Sequence, residues 1–294
     1  STEGPYSGYP AFRSPAALAE DLKELGFDLM LTANNHCLDR GYSGLTATLD
    51  ALDGAGLAHV GTYASQEDAA SPVHLADVGG IQVAFLGYTY GTNGIPLPDG
   101  KEYAVSLFNT DYMTSLSTLD TGKLEADLAA ARALEPDLIA VMIHWGVEYQ
   151  TRQNSNQEKI ADLLISHGAD LVLGGHSHVP QPMEERTVTG WDGAERTGFV
   201  CYSLGNFISS QVDPLTDTTA ALTLELTKDH GTGETTVTGW TYAPMLMVRR
   251  DGTERVFTLT DASVLPAGAD QALVDRLEEA AETCREIFGP ESVS

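Results

Sequence analysis

The sequence that decides the fold is an apolar run followed by a polar loop, FDLMLTANNHCLDRG at residues 27–41. Residues 27–31 have the length and apolar character of a buried strand. A helix is predicted over residues 43–55 and ends before Gly56. Residues 58–60 can form the next short strand. A strand, a helix and a second strand make a βαβ unit, so we expect a parallel sheet covered by helices.

Two further apolar runs in the chain also lead into polar loops. Residues 138–143 are a continuous apolar run, and a shorter one, residues 171–173, lies in the strand predicted over residues 170–173. The loops that follow them read HWGVEY at residues 144–149 and GGHSHVPQP at residues 174–182. All three loops therefore come after the carboxyl end of a predicted strand, where open α/β sheets bind their ligands. We expect the three loops to converge on one cleft.

The other predicted elements complete an α/β fold that becomes richer in strands towards its carboxyl end. Residues 91–120 have no clear period, so we expect a long excursion that lies near the site. Helices are also predicted at residues 15–25, 124–134, 156–167 and 271–287, and strands at residues 73–76, 81–88, 199–203, 220–227, 235–242 and 255–259.

The composition restricts the ligands that the protein can attract. The 294 residues include 16 Lys and Arg against 42 Asp and Glu, which gives a net charge of -26. Such a field disfavours nucleic acid and anionic membranes, and it repels an anionic substrate unless local cations, such as bound metals, hold it. The 3 cysteines, Cys37, Cys201 and Cys284, are odd in number and widely spaced, so no disulfide framework is predicted.

The three loops concentrate imidazoles and neutral amides, a mixture that suits zinc, manganese or iron better than calcium. His176 and His178 are spaced so that both can point toward one metal cluster, and His144 ends a rigid strand. Asn35 offers a neutral oxygen ligand, and the adjoining His36 can act as an acid. The sequence therefore predicts most of a metal site.

Several neighbouring side chains are candidates for supporting these ligands or touching a substrate. Asp39 would orient His36, and Glu148 would fix an imidazole by a hydrogen bond. Each candidate also has a plain structural alternative.

In the first loop, Asn34 and Asn35 can form an Asx turn that caps the next helix, and Asp39 can start that helix. In the second loop, His144 can be a satisfied core residue, Glu148 can be a solvated carboxylate, and Tyr149 can be a packing aromatic. In the third loop, His176 and His178 can be surface residues.

Taken together, four motifs resemble the CapA family of bacterial capsule and poly-γ-glutamate synthesis proteins. They are ANNHCLDRG (33–41), HWGVEY (144–149), GHSHVPQP (175–182) and YSLGNF (202–207), and both their order and their spacing match. The resemblance covers residues 10–210. It implies a calcineurin-like metallophosphoesterase fold, a sandwich of mixed sheets flanked by helices.

The resemblance also implies roles for the candidate residues. Two divalent metals, manganese, iron or zinc, would clamp a phosphate and generate the attacking hydroxide. The metal ligands would be Asn35, His144, His176 and His178. The catalytic pair would be His36, as general acid, and Asp39. Asn34, Glu148 and Tyr149 would support the ligands or contact the substrate.

One departure from the family concerns the start of the chain. Relatives begin with a strand that carries a Gly-Asp motif and continue with an Asn-Leu-Glu motif, and neither occurs here. We therefore expect an N-terminally truncated piece that lacks the first strand and its carboxylates, so that its metal site is empty or partly filled and the piece itself inactive. The predicted organisation is one metallophosphatase domain over residues 1–265 with a C-terminal helix over residues 266–294 packed on it.

The function that these observations favour is a metal-dependent phosphoesterase-type hydrolase or transferase in capsule or poly-γ-glutamate production. The alternatives are a non-catalytic protein that uses the fold to hold a polymer, and an extracellular nucleotidase or phosphodiesterase. The expected partners are an anionic polymer or a phosphoester and a membrane synthase complex, without nucleic acid. The expected location is the extracellular side of the cytoplasmic membrane, with an anchor that lies outside this chain.

Overall fold

The computed structural model describes residues 5–250, 253–258 and 271–292, and it divides into two compact units. Unit 1 comprises Ser1–His144 and His167–Ala169, and unit 2 comprises Trp145–Ser166 and Asp170–Ser294. Both contain mixed sheets and helices, so the predicted α/β class is confirmed. The predicted domain boundary between residues 265 and 266 lies outside the described residues.

Unit 1 contains the elements of the opening βαβ prediction. In chain order its elements are α1 (Ala17–Glu24), β1 (Leu29–Leu31), α2 (Gly41–Ala55), β2 (Ala58–Val60), α3 (Gln66–Ala69), β3 (His74–Val78), β4 (Ile81–Thr89), α4 (Thr121–Arg132) and β5 (Leu138–His144). Strands β1 and β2 pair in parallel, as predicted. The predicted hairpin is also confirmed, because β3 pairs antiparallel with β4, and β4 then pairs in parallel with β5.

Buried residues hold in place the elements that lie next to the polar loops of unit 1. Helix α2 turns Leu45, Leu49 and Leu52 inward, and Gly56 ends the helix with the left-handed φ of 71° that glycine adopts without strain. Strand β5 is buried along most of its length and leaves His144 at its carboxyl end. The polar loops are therefore carried by strands that the core holds rigidly.

Unit 2 is the β-rich part of the chain. Its elements are α5 (Ser155–Ser166), β6 (Leu171–Gly175), β7 (Pro180–Thr189), β8 (Glu195–Leu204), β9 (Thr218–Lys228), β10 (Thr235–Arg250), β11 (Thr253–Thr258) and α6 (Gln271–Phe288). Strand β8 pairs in parallel with β6 and antiparallel with β7, and β9, β10 and β11 form an antiparallel sheet. Helix α6 packs Leu277 and Ala280 against Leu246 of β10.

Three features differ from the sequence predictions. Strand β7 was not predicted, because Pro180 and Pro182 argue against a central strand; the order β6-β8-β7 places it outermost of the three, where proline is tolerated. Helix α1 begins at Ala17 rather than at residue 15, and its N-cap residue, Ala16, makes no side-chain capping hydrogen bond. The segment at residues 91–120 is not a mere excursion, because Ala104, Val105 and Leu107 are buried in the core of unit 1.

Within the described residues, no helix combines the length and the apolar character that crossing a bilayer requires.

Candidate functional site

Each unit contains one group of the predicted site residues. In unit 1, the loop between β1 and α2 carries Asn35, His36 and Asp39, while His144 ends β5 and Asn93 follows β4. We call these five residues the amide cluster. In unit 2, the loops after residue 145 and after β6 bring together three side chains that could bind a metal ion. These three, Glu148, His176 and His178, are the histidine cluster.

The amide cluster is ordered by hydrogen bonds between side chains. The buried Asn35 donates from Nδ2 to Oδ1 of Asn93 at 3.0 Å, and its Oδ1 lies 2.9 Å from Nε2 of His144. The ring of Tyr90 stacks on that of His144, with centroids 6.2 Å apart and planes inclined by 6°. The amide oxygen of Asn35 and the imidazole nitrogen of His144 thus face each other.

This pair has the geometry that a shared metal would need. Two ligand atoms that bind one metal at about 2.1 Å lie about 3.0 Å apart at the right angle of octahedral coordination and about 3.4 Å apart at the tetrahedral angle. The 2.9 Å between Asn35 Oδ1 and His144 Nε2 is close to the octahedral spacing, and it is also the length of the hydrogen bond that the two side chains form here. A neutral oxygen and an imidazole nitrogen suit zinc, manganese or iron. Asn35 and His144 therefore offer ligand atoms of the kind that the expected divalent metals bind.

His36 and Asp39 form a hydrogen-bonded pair beside this contact. Nδ1 of His36 lies 2.9 Å from Oδ2 of Asp39, whose side chain is only 5% exposed. The same oxygen accepts the backbone N–H of Phe12 at 2.8 Å, and the ring of Phe12 meets the His36 ring edge-on. Arg40, not Asp39, is the N-cap residue of α2, so the carboxylate of Asp39 serves the histidine rather than the helix.

Asn34 forms an Asx turn, but this turn does not cap helix α2 as the structural alternative predicted, because the N-cap residue of α2 is Arg40. Its Oδ1 accepts the backbone N–H of His36 at 2.8 Å, and its Nδ2 donates to the carbonyl of Thr32 at 3.2 Å. Because both ends of this amide are engaged locally, Asn34 shapes the loop that presents Asn35 and His36.

The histidine cluster brings together three possible ligand atoms. One atom each from Glu148, His176 and His178 lies within 4.8 Å of the other two. Nδ1 of His178 lies 2.9 Å from Oδ1 of Asn206, which can only accept, so the neutral ring is protonated at Nδ1 and keeps its lone pair on Nε2. That nitrogen lies 3.6 Å from Oε1 of Glu148. The cluster has the donor set of a metal site with a supporting amide.

The backbone of this cluster is unusual. Tyr149, His176 and His178 have φ values of 63°, 104° and 63°, in the region that favours glycine. Tyr149 stacks on His178 with ring centroids 5.8 Å apart, and its hydroxyl accepts a hydrogen bond from Gln211 at 3.2 Å. Strain of this kind is concentrated at functional sites in proteins, where the surrounding structure maintains it.

Buried side chains hold the loops that carry the histidine cluster. Gly174 has no room for a side chain, because Trp145 donates its indole N–H across it to the carbonyl of Tyr202 at 3.0 Å. Two buried glutamines, Gln157 and Gln181, are joined by a 2.9 Å hydrogen bond. Gln157 also accepts the backbone N–H of residue 154, and Gln181 donates to the carbonyls of residues 150 and 152. The segment after residue 145 is therefore fixed.

The structure thus groups Asn34, Asn35, His36, Asp39 and His144 in unit 1, and Glu148, Tyr149, His176 and His178 in unit 2. Their roles as metal ligands, acid or substrate contacts remain predictions. Sequence reasoning missed Asn93, Gln157 and Gln181 and gave Asn206 no role of its own. The available signals were the Asn-Gly pair at residues 93–94, typical of a tight turn, and the YSLGNF motif around Asn206.

Comparison with known proteins identifies related sequences. Residues 1–211 match the family described as bacterial capsule synthesis protein PGA_cap. The PGA biosynthesis protein CapA of Bacillus subtilis is 31% identical over 74% of this chain and 51% of its own length. The capsule biosynthesis protein CapA of Bacillus anthracis is 31% identical over 72% of this chain and 47% of its own length. The chain spans about half the length of these relatives.

A similarity to a solved structure was also found. A Staphylococcus aureus protein assigned as a 5′-nucleotidase matches with a TM-score of 0.48 and 17% sequence identity, over 90% of this chain and 44% of that protein.

Proposed function

The chain belongs to the family of bacterial capsule synthesis proteins, and from this membership we propose that the protein works in producing an extracellular polymer of the poly-γ-glutamate type, using a metallophosphoesterase-type site. The observation that carries the enzymatic part is the 2.9 Å contact between Asn35 Oδ1 and His144 Nε2. It is supported by the Glu148, His176 and His178 cluster, since both groups offer the ligands that transition metals prefer.

In this proposal the residues that would hold divalent ions are Asn35 and His144 in unit 1, and Glu148, His176 and His178 in unit 2. Bound ions of this kind polarise a phosphoryl oxygen and make a hydroxide available at neutral pH. The chain itself has a net charge of -26, so it cannot attract a phosphoester by its own overall field. The charge that holds the anion would come from the ions.

His36 is the proposed general acid. Its Nδ1–H donates to Asp39, which holds the ring in place, while Nε2 would give its proton to the leaving oxygen. About a quarter of the His36 side chain is exposed (26%), so a substrate can reach it, whereas Asp39 is covered. Asp39 is therefore a positioning residue for His36.

The location and partners are part of the same proposal. The two CapA relatives are named for capsule or polymer biosynthesis, which supports a place beside a polymer synthase and on the extracellular side of the membrane. An anionic polymer or a phosphoester would be the ligand.

The test is metal binding and hydrolysis by the full-length protein. We expect the metal-depleted protein to take up manganese or zinc, measured by calorimetry and elemental analysis, and to cleave bis(p-nitrophenyl) phosphate only when loaded. His178→Ala should weaken metal affinity at least about 10-fold. His36→Ala should keep the metal and lower kcat about 100-fold or more.

The control is His230→Ala, which removes an exposed histidine that belongs to neither cluster and should change neither quantity. A full-length protein that takes up no metal would contradict the proposal. Metal uptake without hydrolysis would favour the alternative of a polymer-holding scaffold, and preferential cleavage of nucleoside monophosphates would favour the nucleotidase alternative.

A further inference from the structure

Asn93 is a member of the amide cluster to which the proposed chemistry gives no role. Its Oδ1 accepts the hydrogen bond from Asn35 Nδ2 at 3.0 Å. Its own Nδ2 lies 3.4 Å from Nδ1 and 3.3 Å from Nε2 of His36. Asn93 therefore contacts both the side chain proposed as the amide ligand and the ring proposed as the acid.

The contact with Asn35 decides which end of that amide faces His144. The oxygen and nitrogen of a side-chain amide have nearly the same shape, so hydrogen bonding selects between the two orientations. Because Asn93 presents an oxygen, Asn35 must turn its NH₂ group toward Asn93 and its oxygen toward His144. In the opposite orientation an NH₂ group, which has no lone pair for a metal, would face the imidazole.

The backbone of Asn93 is fixed by a tight turn. Asn93 and Gly94 have φ values of 50° and 73°, and the N–H of Ile95 donates to the carbonyl of Thr92 at 3.0 Å. These are the features of a type I′ turn, for which Asn-Gly is a preferred sequence. Thr92 is buried and donates its hydroxyl to the carbonyl of Ile95 at 2.6 Å. The turn therefore delivers the side chain of Asn93 to a defined place.

We propose that Asn93 is a positioning residue that sets the orientation of the Asn35 amide, so that the oxygen of Asn35 is presented as a ligand. The inference rests on the proposed metal-binding role of Asn35. It gives a function to the Asn-Gly turn that follows β4.

Two substitutions separate the side chain of Asn93 from the turn that carries it. Asn93→Gly keeps a residue that favours positive φ, so the turn should be kept. The melting temperature should fall only slightly, because the buried Asn35 amide loses one hydrogen bond. Asn93→Asp is tolerated in the same backbone region and keeps an oxygen that accepts from Asn35. We expect Asn93→Gly to weaken manganese affinity of the full-length protein about 10-fold, and Asn93→Asp to retain affinity within about 3-fold of the unsubstituted protein.

A second measurement does not depend on metal binding. The side-chain NH₂ signals of Asn35, assigned with an Asn35→Ala spectrum, should exchange slowly with solvent in the metal-free protein and much faster in Asn93→Gly. Unchanged exchange and unchanged affinity in Asn93→Gly would overturn the inference. If the unsubstituted protein binds no metal, the proposed function fails, and the exchange of the Asn35 signals still decides whether Asn93 orients the amide.

Discussion

Gly174 and Gly175 are adjacent in the sequence but have opposite surroundings. A Cβ on Gly174 would lie 2.2 Å from the carbonyl oxygen of Tyr202 and 2.3 Å from Nε1 of Trp145, whereas a Cβ on Gly175 would have no atom within 4 Å. The first glycine is required by the indole-to-carbonyl hydrogen bond beneath the histidine cluster. The second is not required by packing.

We predict that Gly174→Ala destabilises the protein by about 3 kcal/mol, because a rigid buried contact has to open to admit one methyl group. Gly175→Ala is the matched control and should change stability by no more than about 1 kcal/mol. Urea unfolding of both variants measures the difference. Equal stability of the two variants would mean that Trp145 and Tyr202 are not held as the structure shows.

At the scale of elements, the segment between Trp145 and helix α5 is held by the pair of buried glutamines. The carbonyl of Gln157 accepts a backbone N–H of the segment, and the amide of Gln181 donates to two of its carbonyls. A buried amide that loses its partner incurs the full cost of its desolvation. The pair therefore keeps an otherwise irregular segment, including Glu148 and Tyr149, in one conformation.

We predict that Gln157→Ala lowers the free energy of unfolding by about 2 kcal/mol, although alanine is the better helix former, because groups of Gln181 and residue 154 lose their partner. Gln150→Ala removes an exposed glutamine side chain of the same segment and should stay within about 0.5 kcal/mol of the unsubstituted protein. Hydrogen exchange of residues 146–154 should accelerate only in Gln157→Ala. Slow exchange in that variant would show that other contacts fix the segment.

At the scale of the whole molecule, the two buried thiols, Cys201 and Cys284, report on the folding of unit 2, in which both lie. Burial raises the pKa of Cys201 and of Cys284 to about 12 from the ordinary 9.0, and the Cys284 thiol donates to the carbonyl of Thr219 at 3.5 Å. A pKa that is higher in the folded state means that the folded protein retains these protons longer. This contribution to stability is complete below pH 9 and is lost as the pH rises toward 12.

We therefore expect no more than one thiol per chain to react with a thiol reagent at pH 8 in the native protein, the half-buried Cys37, and all 3 after unfolding in guanidinium. Unfolding free energy should fall between pH 9 and 12, and the double variant Cys201→Ala and Cys284→Ala should show a flatter fall. Rapid native reaction of two or more thiols would contradict the burial of these residues.

Much of this molecule could be predicted from its sequence because strands with continuous apolar runs end in polar loops. That pattern located the loop of Asn35, the histidine at the end of β5 and the loop of His176 and His178. It could not identify Gln157 and Gln181, because glutamine is usually a surface residue and only the folded chain shows that the two amides satisfy each other. It missed β7, because an outermost strand tolerates prolines that a central strand excludes.

The place of Asn93 in the site could not be predicted from the sequence either. The Asn-Gly pair signals a tight turn, but its segment has no hydrophobic period, so nothing in the sequence says which residues the turn approaches. The hydrogen bond from Asn35, 58 positions earlier, is a property of the fold.

The left-handed backbone of His178 has a consequence for how such proteins evolve. A φ of 63° costs about 1–2 kcal/mol for a residue with a Cβ, and glycine avoids that cost. Selection for thermostability alone would therefore favour glycine at this position, whereas selection for the protein's function would retain histidine. Laboratory evolution for higher thermostability is expected to substitute His178 early, unless every round also screens for the function that depends on its imidazole.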